Sequence, residues 1–148
     1  MPPSFLLEEE CHRNMAFTLY HAEQLPRLSI GEVKVDKLQE GLYNVWVTVE
    51  NDRLIPTRLQ VDIQHHITPP DTVSLSGDGA KVLSSGIVTD RFFKRVTPTK
   101  RRPERVELDS IPGMDAVRVQ FIVSGKGPVR ITVNSAHGGV LTTDRALP

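Results

Sequence analysis

The chain has 148 residues, the length of one ordinary domain, and its hydrophobic fraction of 39% is enough for one modest core. Lysine plus arginine and aspartate plus glutamate each total 18, so the formal net charge is zero. This balance gives no reason to expect nucleic acid or an anionic membrane as a partner. Cys11 is the single cysteine, which excludes an intramolecular disulfide and a zinc site built from several cysteines.

The N-terminal residues 1–7 lack the basic start and the apolar run of a secretory signal, and three glutamates follow at once. No apolar stretch approaches the roughly 20 residues that a membrane-spanning helix needs. We therefore expect a soluble chain with no membrane span and no signal peptide of its own. The sequence leaves the cellular compartment open.

The first predicted element is a helix over residues 4–24. Ser4 can cap its start, and the glutamates that follow suit the positive end of the helix dipole. An apolar stripe follows one face at four-residue spacing and comprises Leu7, Cys11, Met15 and Leu19. Two hypotheses stay open: the stripe packs on the chain's own domain, or it contacts a preceding domain. The predicted organisation is a connector helix at residues 1–25 and a β-sandwich domain at residues 26–148.

After Pro26 the apolar residues change to a period of two, which is typical of half-buried strands. The alternation is clearest at residues 43–49, 117–123 and 129–133. Shorter strands are predicted around residues 72–75, 80–88, 105–108 and 140–146, whereas residues 57–63 fit a strand or a short helix. Strands with one apolar face bury it against a second sheet. The predicted fold is therefore all-β, a two-sheet antiparallel sandwich (immunoglobulin/fibronectin-like) preceded by one N-terminal helix.

Two glycine pairs, Gly77 with Gly79 and Gly125 with Gly127, separate predicted strands. They lack the other residues and the strand-to-helix context of a phosphate-binding loop. We interpret both as hairpin turns, the second joining the strands at 117–123 and 129–133. Residues 97–104, which contain prolines and basic residues but no apolar ones, are predicted to be disordered or mobile.

The five histidines do not show the spacing of a metal site. His12 and His21 each lack a glutamate three residues later, and His137 lies in a glycine-flanked turn. His65 and His66 are adjacent, so in a strand their side chains would point to opposite faces. We predict no metal ligands and no cofactor.

The sequence also lacks the motif of a catalytic serine nucleophile. No Gly-x-Ser-x-Gly motif occurs, and Cys11 on the apolar stripe is expected to behave as a small buried hydrophobe. The chain is therefore predicted not to be an enzyme. The remaining enzyme hypothesis requires His65 or His66 to meet an acid such as Asp62 or Asp71.

Two features of the sequence, an outward-facing tryptophan and a cluster of basic residues, are typical of ligand-binding surfaces. Trp46 lies on the polar face of its strand beside Asn44 and Thr48, where an exposed indole can stack on a sugar or contact another domain. Covering of Trp46 by the helix or a loop is the alternative that we favour. Basic residues with aromatic neighbours can also follow a phosphate backbone, although the neutral chain makes nucleic acid an unexpected partner. This basic cluster comprises Arg91, Lys94, Arg95, Lys100, Arg101, Arg102 and Arg105 around Phe92 and Phe93.

Several segments carry a resemblance to a known family. Leu25-Pro26-Arg27-Leu28, Gly41-Leu42-Tyr43 and the run from Val49 to Thr57 resemble the opening of an accessory domain. Gly125-x-Gly127, residues 129–133 and Ser135-Ala136-His137-Gly138-Gly139 resemble its closing part. That domain follows the catalytic domain in certain bacterial carboxypeptidase A-like zinc metallopeptidases. Within the opening segment, Asn51, Pro56 and Thr57 are expected to form a tight turn that specifies the fold.

The resemblance covers the accessory part only, so no zinc ligand or catalytic residue of the peptidase can be assigned to this chain. It implies a non-catalytic accessory or interaction domain beside a zinc carboxypeptidase-like peptidase domain, in cis or in trans, and is compatible with a periplasmic or secreted parent. The candidate interaction surface comprises Leu7, Met15, Leu19 and Trp46. The alternative is a free-standing glycan- or protein-binding β-sandwich module centred on Trp46 or on the basic cluster. An exposed apolar patch around Leu7 favours the former, and polar side chains around Trp46 favour the latter.

Overall fold

A computed structural model of the chain describes residues 3–90, 95–99 and 101–147. A 3-10 turn over Ser4–Leu6 leads into helix α1, and a second short helix, α2, lies between two of the strands. The helices are α1 (Leu7–Glu23) and α2 (Gln60–His65). The strands are β1 (Leu28–Gln39), β2 (Leu42–Asn51), β3 (Asp71–Ser76), β4 (Ala80–Asp90), β5 (Arg95–Pro98), β6 (Arg105–Leu108), β7 (Asp115–Gly125), β8 (Gly127–Ser135) and β9 (Gly139–Leu147).

The strands form two antiparallel sheets. One has five strands in the order β1-β2-β7-β4-β5, and the other has four in the order β6-β3-β8-β9. The predicted all-β, two-sheet sandwich after one N-terminal helix is confirmed. The core lies between the sheets, where alternate residues of β2 and β7 such as Val45 and Phe121 meet those of β3 and β8 such as Leu75 and Ile131. The other set of residues on β2 therefore lies on the outer face.

The prediction of hairpin turns is wrong for both glycine pairs, because each link crosses from one sheet to the other. The link through Gly77 and Gly79 leads from β3 to β4, and the link through Gly125 and Gly127 leads from β7 to β8. The two links pack against each other. Gly125 has a φ of +132°, and a Cβ atom there would overlap the carbonyl oxygen of Gly79, so the contact requires glycine. Both turn signals were correct, but the strands on either side bury their apolar faces in different sheets.

Two local expectations need correction, and one open alternative is decided. The helix starts with a 3-10 turn, and no side-chain hydrogen bond caps it, so Ser4 does not act as the cap. The ambiguous segment at 57–63 takes the helical alternative, as part of α2. Thr97 and Pro98 belong to β5, so the prediction of disorder is wrong for them. For Thr97 and Pro98 the pairing of β5 with β4 decides the local structure.

In the described part of the chain, no helix is long and apolar enough to cross a membrane.

Candidate interaction surfaces

Helix α1 buries none of its residues. The side chains of the apolar stripe are open to solvent, with Leu7 55%, Met15 54% and Leu19 62% exposed. Cys11 is exposed as well, so the expectation of a buried thiol is wrong in this chain by itself. A helix of 17 residues without tertiary packing is only marginally stable in water. The stripe is therefore an exposed apolar surface on a helix that no other element of the described chain packs against.

A groove of about 310 Å³ adjoins the end of α1. Its lining is almost wholly apolar and consists mainly of Leu25, Pro26, Ile55, Pro56, Leu59 and Ile67. Leu59 and Ile67 are 59% and 67% exposed, so the groove presents large apolar side chains to solvent. The backbone N–H of Ile55 donates to the carbonyl of Gln24 at 3.2 Å, so the groove lies next to the end of α1.

The buried Asn51 side chain fixes one wall of this groove. Its Oδ1 accepts hydrogen bonds from the backbone N–H groups of Arg27 and Arg53, each at 3.2 Å. Its Nδ2 donates to the carbonyl of Ile55 at 2.9 Å. The side chain thus joins the start of the sandwich to the turn that ends at Thr57.

Thr57, the last residue of this turn, is also buried and makes four polar contacts. Its N–H donates to the carbonyl of Ile111 at 3.1 Å, and its Oγ1 accepts from the N–H of Ile111 at 2.8 Å. The hydroxyl donates to Oδ2 of Asp71, and the Thr57 carbonyl lies 2.8 Å from Nδ1 of His137. These contacts hold the turn rigidly against the end of the sandwich.

Sequence reasoning missed a second polar cluster, made by Arg58, Asp62 and Thr68, of which Asp62 and Thr68 line the groove. The buried Arg58 guanidinium donates to the carbonyls of Thr68 at 2.9 Å and Asp109 at 3.1 Å, and its Nη2 lies 3.5 Å from Oδ1 of Asp62. Asp62 accepts from the N–H of Thr68 at 2.7 Å and from its hydroxyl at 2.5 Å. The hydrogen bonds from Thr68, with a smaller contribution from Arg58, hold the pKa of Asp62 below its ordinary value. The spacing of four between Arg58 and Asp62 was the available signal.

In the part of the chain that the structure describes, no hydrogen bond or ion pair joins His65 or His66 to Asp62 or Asp71. His65 ends α2, and His66 follows it with a φ of +51°, so neither lies in a strand, and both are exposed. Asp62 and Asp71 point to Thr68 and Thr57 instead. Within residues 3–90, 95–99 and 101–147, no three His, Cys, Asp or Glu side chains are grouped so that they could hold a metal ion.

Trp46 lies on the outer face of the five-stranded sheet, where the sequence placed it, and is partly exposed. Neighbouring strands place Lys34 on one side of it and Gln120 on the other. The indole lines a shallow depression of about 70 Å³. The side chains around it come from three strands besides its own: Glu32, Lys34, Asp36, Thr48, Val88 and Arg118. No residue of α1 lines this depression, so the expected covering by the helix is absent there.

Part of the basic cluster, Arg91 to Lys94 and Lys100, lies outside the described residues. Arg101, Arg102 and Arg105 line an open groove of about 570 Å³ together with Thr97 and Thr99. Glu107 shares this groove, and its Oε1 lies 3.9 Å from Nε of Arg105. The positive charge is therefore partly compensated and open to solvent, which weakens its hold on an anion.

The architecture defines a two-sheet β-sandwich domain that carries an unpacked N-terminal helix. The chain belongs to the family described as "Domain of unknown function (DUF8731)", whose model matches residues 27–145. Helix α1 lies before the matched residues.

No curated protein matches the chain. Among solved structures, DesR, a β-glucosidase from Streptomyces venezuelae in complex with D-glucose, is similar, with 13% sequence identity and a TM-score of 0.34. The match covers 80% of this chain and only 15% of the DesR chain. At this TM-score the similarity supports no conclusion about fold or function.

Proposed function

We propose that this chain is a non-catalytic accessory domain that packs beside a zinc carboxypeptidase-like peptidase domain, in cis or in trans. The proposal is carried by one observation: α1 leaves its apolar side chains exposed, and an apolar groove lies next to its end. Large exposed apolar surfaces on a folded domain mark contacts with other proteins. The peptidase as partner rests on the sequence resemblance of the opening and closing segments.

The chemistry of the surface favours a folded protein partner. Met15, Leu19 and Ile67 are each more than half exposed and offer no hydrogen bonds to a sugar or a phosphate. Burying such side chains stabilises a complex by about 1.5 to 3 kcal/mol for each one that is fully covered. The Asn51 and Thr57 contacts hold the groove in one shape, so little ordering cost opposes binding.

The polar clusters at the groove fit a supporting role. The carboxylates of Asp62 and Asp71 hold backbone and hydroxyl groups of their own domain in place, as structural groups do. They fix the position of Leu59 and Ile67, the side chains that a partner would contact. Catalysis would then reside in the partner.

The test is to recover the native protein from its source with an antibody against the sandwich. Its mass, its zinc content and its release of C-terminal amino acids from peptides are then measured. We expect a longer polypeptide, or a stable complex, that contains zinc and releases C-terminal residues. A native product that consists of this chain alone, without zinc and without a bound protein, would overturn the proposal.

A further inference from the structure

We propose that the outer face of the five-stranded sheet binds a neutral oligosaccharide, with one sugar ring stacked on the indole of Trp46. This inference does not rest on the accessory function. The depression around Trp46 shares no lining residue with the apolar groove next to α1. The two surfaces can therefore be tested separately.

The strand register places Trp46 within a row of polar side chains. Lys34 of β1 and Gln120 of β7 are its direct neighbours on either side. An indole on a sheet face presents a flat apolar surface, and the C–H face of a pyranose ring can lie against it. The polar neighbours then surround the edge of the ring, where its hydroxyl groups are.

Cross-strand contacts hold two of the polar neighbours in place. Nε2 of Gln120 donates to Oδ1 of Asn44 at 2.9 Å, and Nε of Arg118 donates to Oγ1 of Thr48 at 3.3 Å. Each amide carries a second polar atom that this bond does not use, and the Arg118 guanidinium carries further N–H groups. Donors and acceptors in fixed positions beside an apolar platform are the features of a small-ligand site.

The charge of the face selects a neutral ligand. Glu32 and Asp36 line the depression together with Lys34 and Arg118, so two negative side chains balance two positive ones. Nζ of Lys34 lies 3.3 Å from Oδ1 of Asp36. A phosphate or sulfate polymer would meet both carboxylates, whereas sugar hydroxyls donate to carboxylates and accept from cations equally well.

Trp46 is the only tryptophan of the chain, so its fluorescence reports this site directly. The protein is titrated with cellohexaose, chitohexaose and maltohexaose, and the emission of Trp46 is followed. We expect a saturable change with at least one of these probes. No change with any of them, together with no heat of binding in calorimetry, would overturn the proposal.

Variants then locate the site by calorimetry with the probe that binds. Trp46→Ala is expected to weaken binding about tenfold or more, and Trp46→Phe to retain part of the affinity because a ring remains. Gln120→Ala is expected to weaken binding by a smaller factor. Tyr20→Ala, which removes an exposed ring on α1, is the matched control and should bind as the unchanged chain does.

Stability is measured for each variant, and Trp46→Phe decides the question if Trp46→Ala is unfolded. Unchanged affinity in Trp46→Phe and Gln120→Ala would place the ligand elsewhere and overturn the proposal. Binding of heparin or RNA alone would also overturn it, since the site would then take an anion. A loss of sugar binding with intact association to the peptidase partner would separate this site from the α1 surface.

Discussion

Arg58 and Asp62 lie one helical turn apart in the chain, and the same residue, Thr68, bonds to both side chains. Nη2 of Arg58 lies 3.5 Å from Oδ1 of Asp62. The carbonyl of Thr68 accepts a hydrogen bond from Arg58, while the N–H and the hydroxyl of Thr68 donate to Asp62. These bonds tie together the two ends of the segment from Arg58 to Thr68, which contains α2 and lies at the apolar groove. This arrangement leads to two predictions about stability.

Arg58→Ala should lower the free energy of unfolding by about 3 kcal/mol, because it removes a buried charged donor and leaves its acceptors unpaired. Arg58→Lys should not restore stability, since an ammonium group lacks the fork that reaches Thr68 and Asp109 together. Urea unfolding measures both variants. Arg130→Ala is the control, because its pair with Asp144 is exposed and contributes little. Equal losses for Arg58→Ala and Arg130→Ala would contradict the prediction.

The free energy of unfolding should also fall in acid because of Asp62. Hydrogen bonds from Thr68 lower its pKa in the folded chain below the usual value of about 3.9, so its contribution is complete above that value. The contribution is lost as the pH falls through the lowered folded pKa. Thermal midpoints measured from about pH 7 to about pH 2.5 should drop less steeply in Asp62→Asn than in the unchanged chain.

Asp144 titrates in the same direction, because Arg130 lowers its pKa as well. The variant Asp144→Asn therefore distinguishes the contribution of Asp144 to the acid profile from that of Asp62. If Asp62→Asn leaves the acid profile unchanged while Asp144→Asn flattens it, the Thr68 hydrogen bonds do not persist in solution.

Leu19→Glu should weaken association with the peptidase partner about tenfold or more without lowering the stability of the isolated chain. The reason is that Leu19 is already exposed in the chain, and only a partner would bury it. Val140→Glu is the matched control, since Val140 is 65% exposed against 62% for Leu19 and lies on β9. Binding of the two variants is compared by surface plasmon resonance. Equal effects of both changes would exclude α1 as the contact.

Gly125→Ala should destabilise the chain more than Gly139→Ala does. Both glycines have positive φ values, +132° and +79°, so alanine is strained at either position by about 1 to 2 kcal/mol. Only at Gly125 would the added Cβ also overlap the backbone of the second crossover, at Gly79 and Ala80. Among the described residues, nothing lies within 4 Å of a Cβ at Gly139. Similar unfolding midpoints for the two variants would show that the crossovers can move apart.

Most of the strands could be predicted from the sequence, since Tyr43, Val45, Val47 and Val49 alternate with polar residues and this period persists in the structure. The sheet to which each strand belongs could not be predicted. The turn at Gly125 looks the same whether the next strand pairs with β7 or crosses to the other sheet. That choice depends on how all the apolar faces meet in one core.

The candidate interaction surfaces likewise contain residues that could be predicted from the sequence and residues that could not. The positions of Leu19 and Trp46 follow from helical and strand periods, so both could be named from the sequence. Arg118 and Gln120 could not be placed beside Trp46, because only the pairing of β2 with β7 brings them together. The groove beside Leu59 was missed for a similar reason, since its walls come from segments that no local pattern connects.

The connection between α1 and β1 consists of residues 24–27, and every N–H group that it possesses is hydrogen-bonded. Gln24 donates to Tyr20, Leu25 to Ala22 and Arg27 to Asn51, while Pro26 has no N–H. These hydrogen bonds hold the connection in one conformation, so it is not a flexible linker. A partner that binds α1 would therefore also fix the orientation of the sandwich. The sheet face that carries Trp46 would then lie at a set angle to that partner.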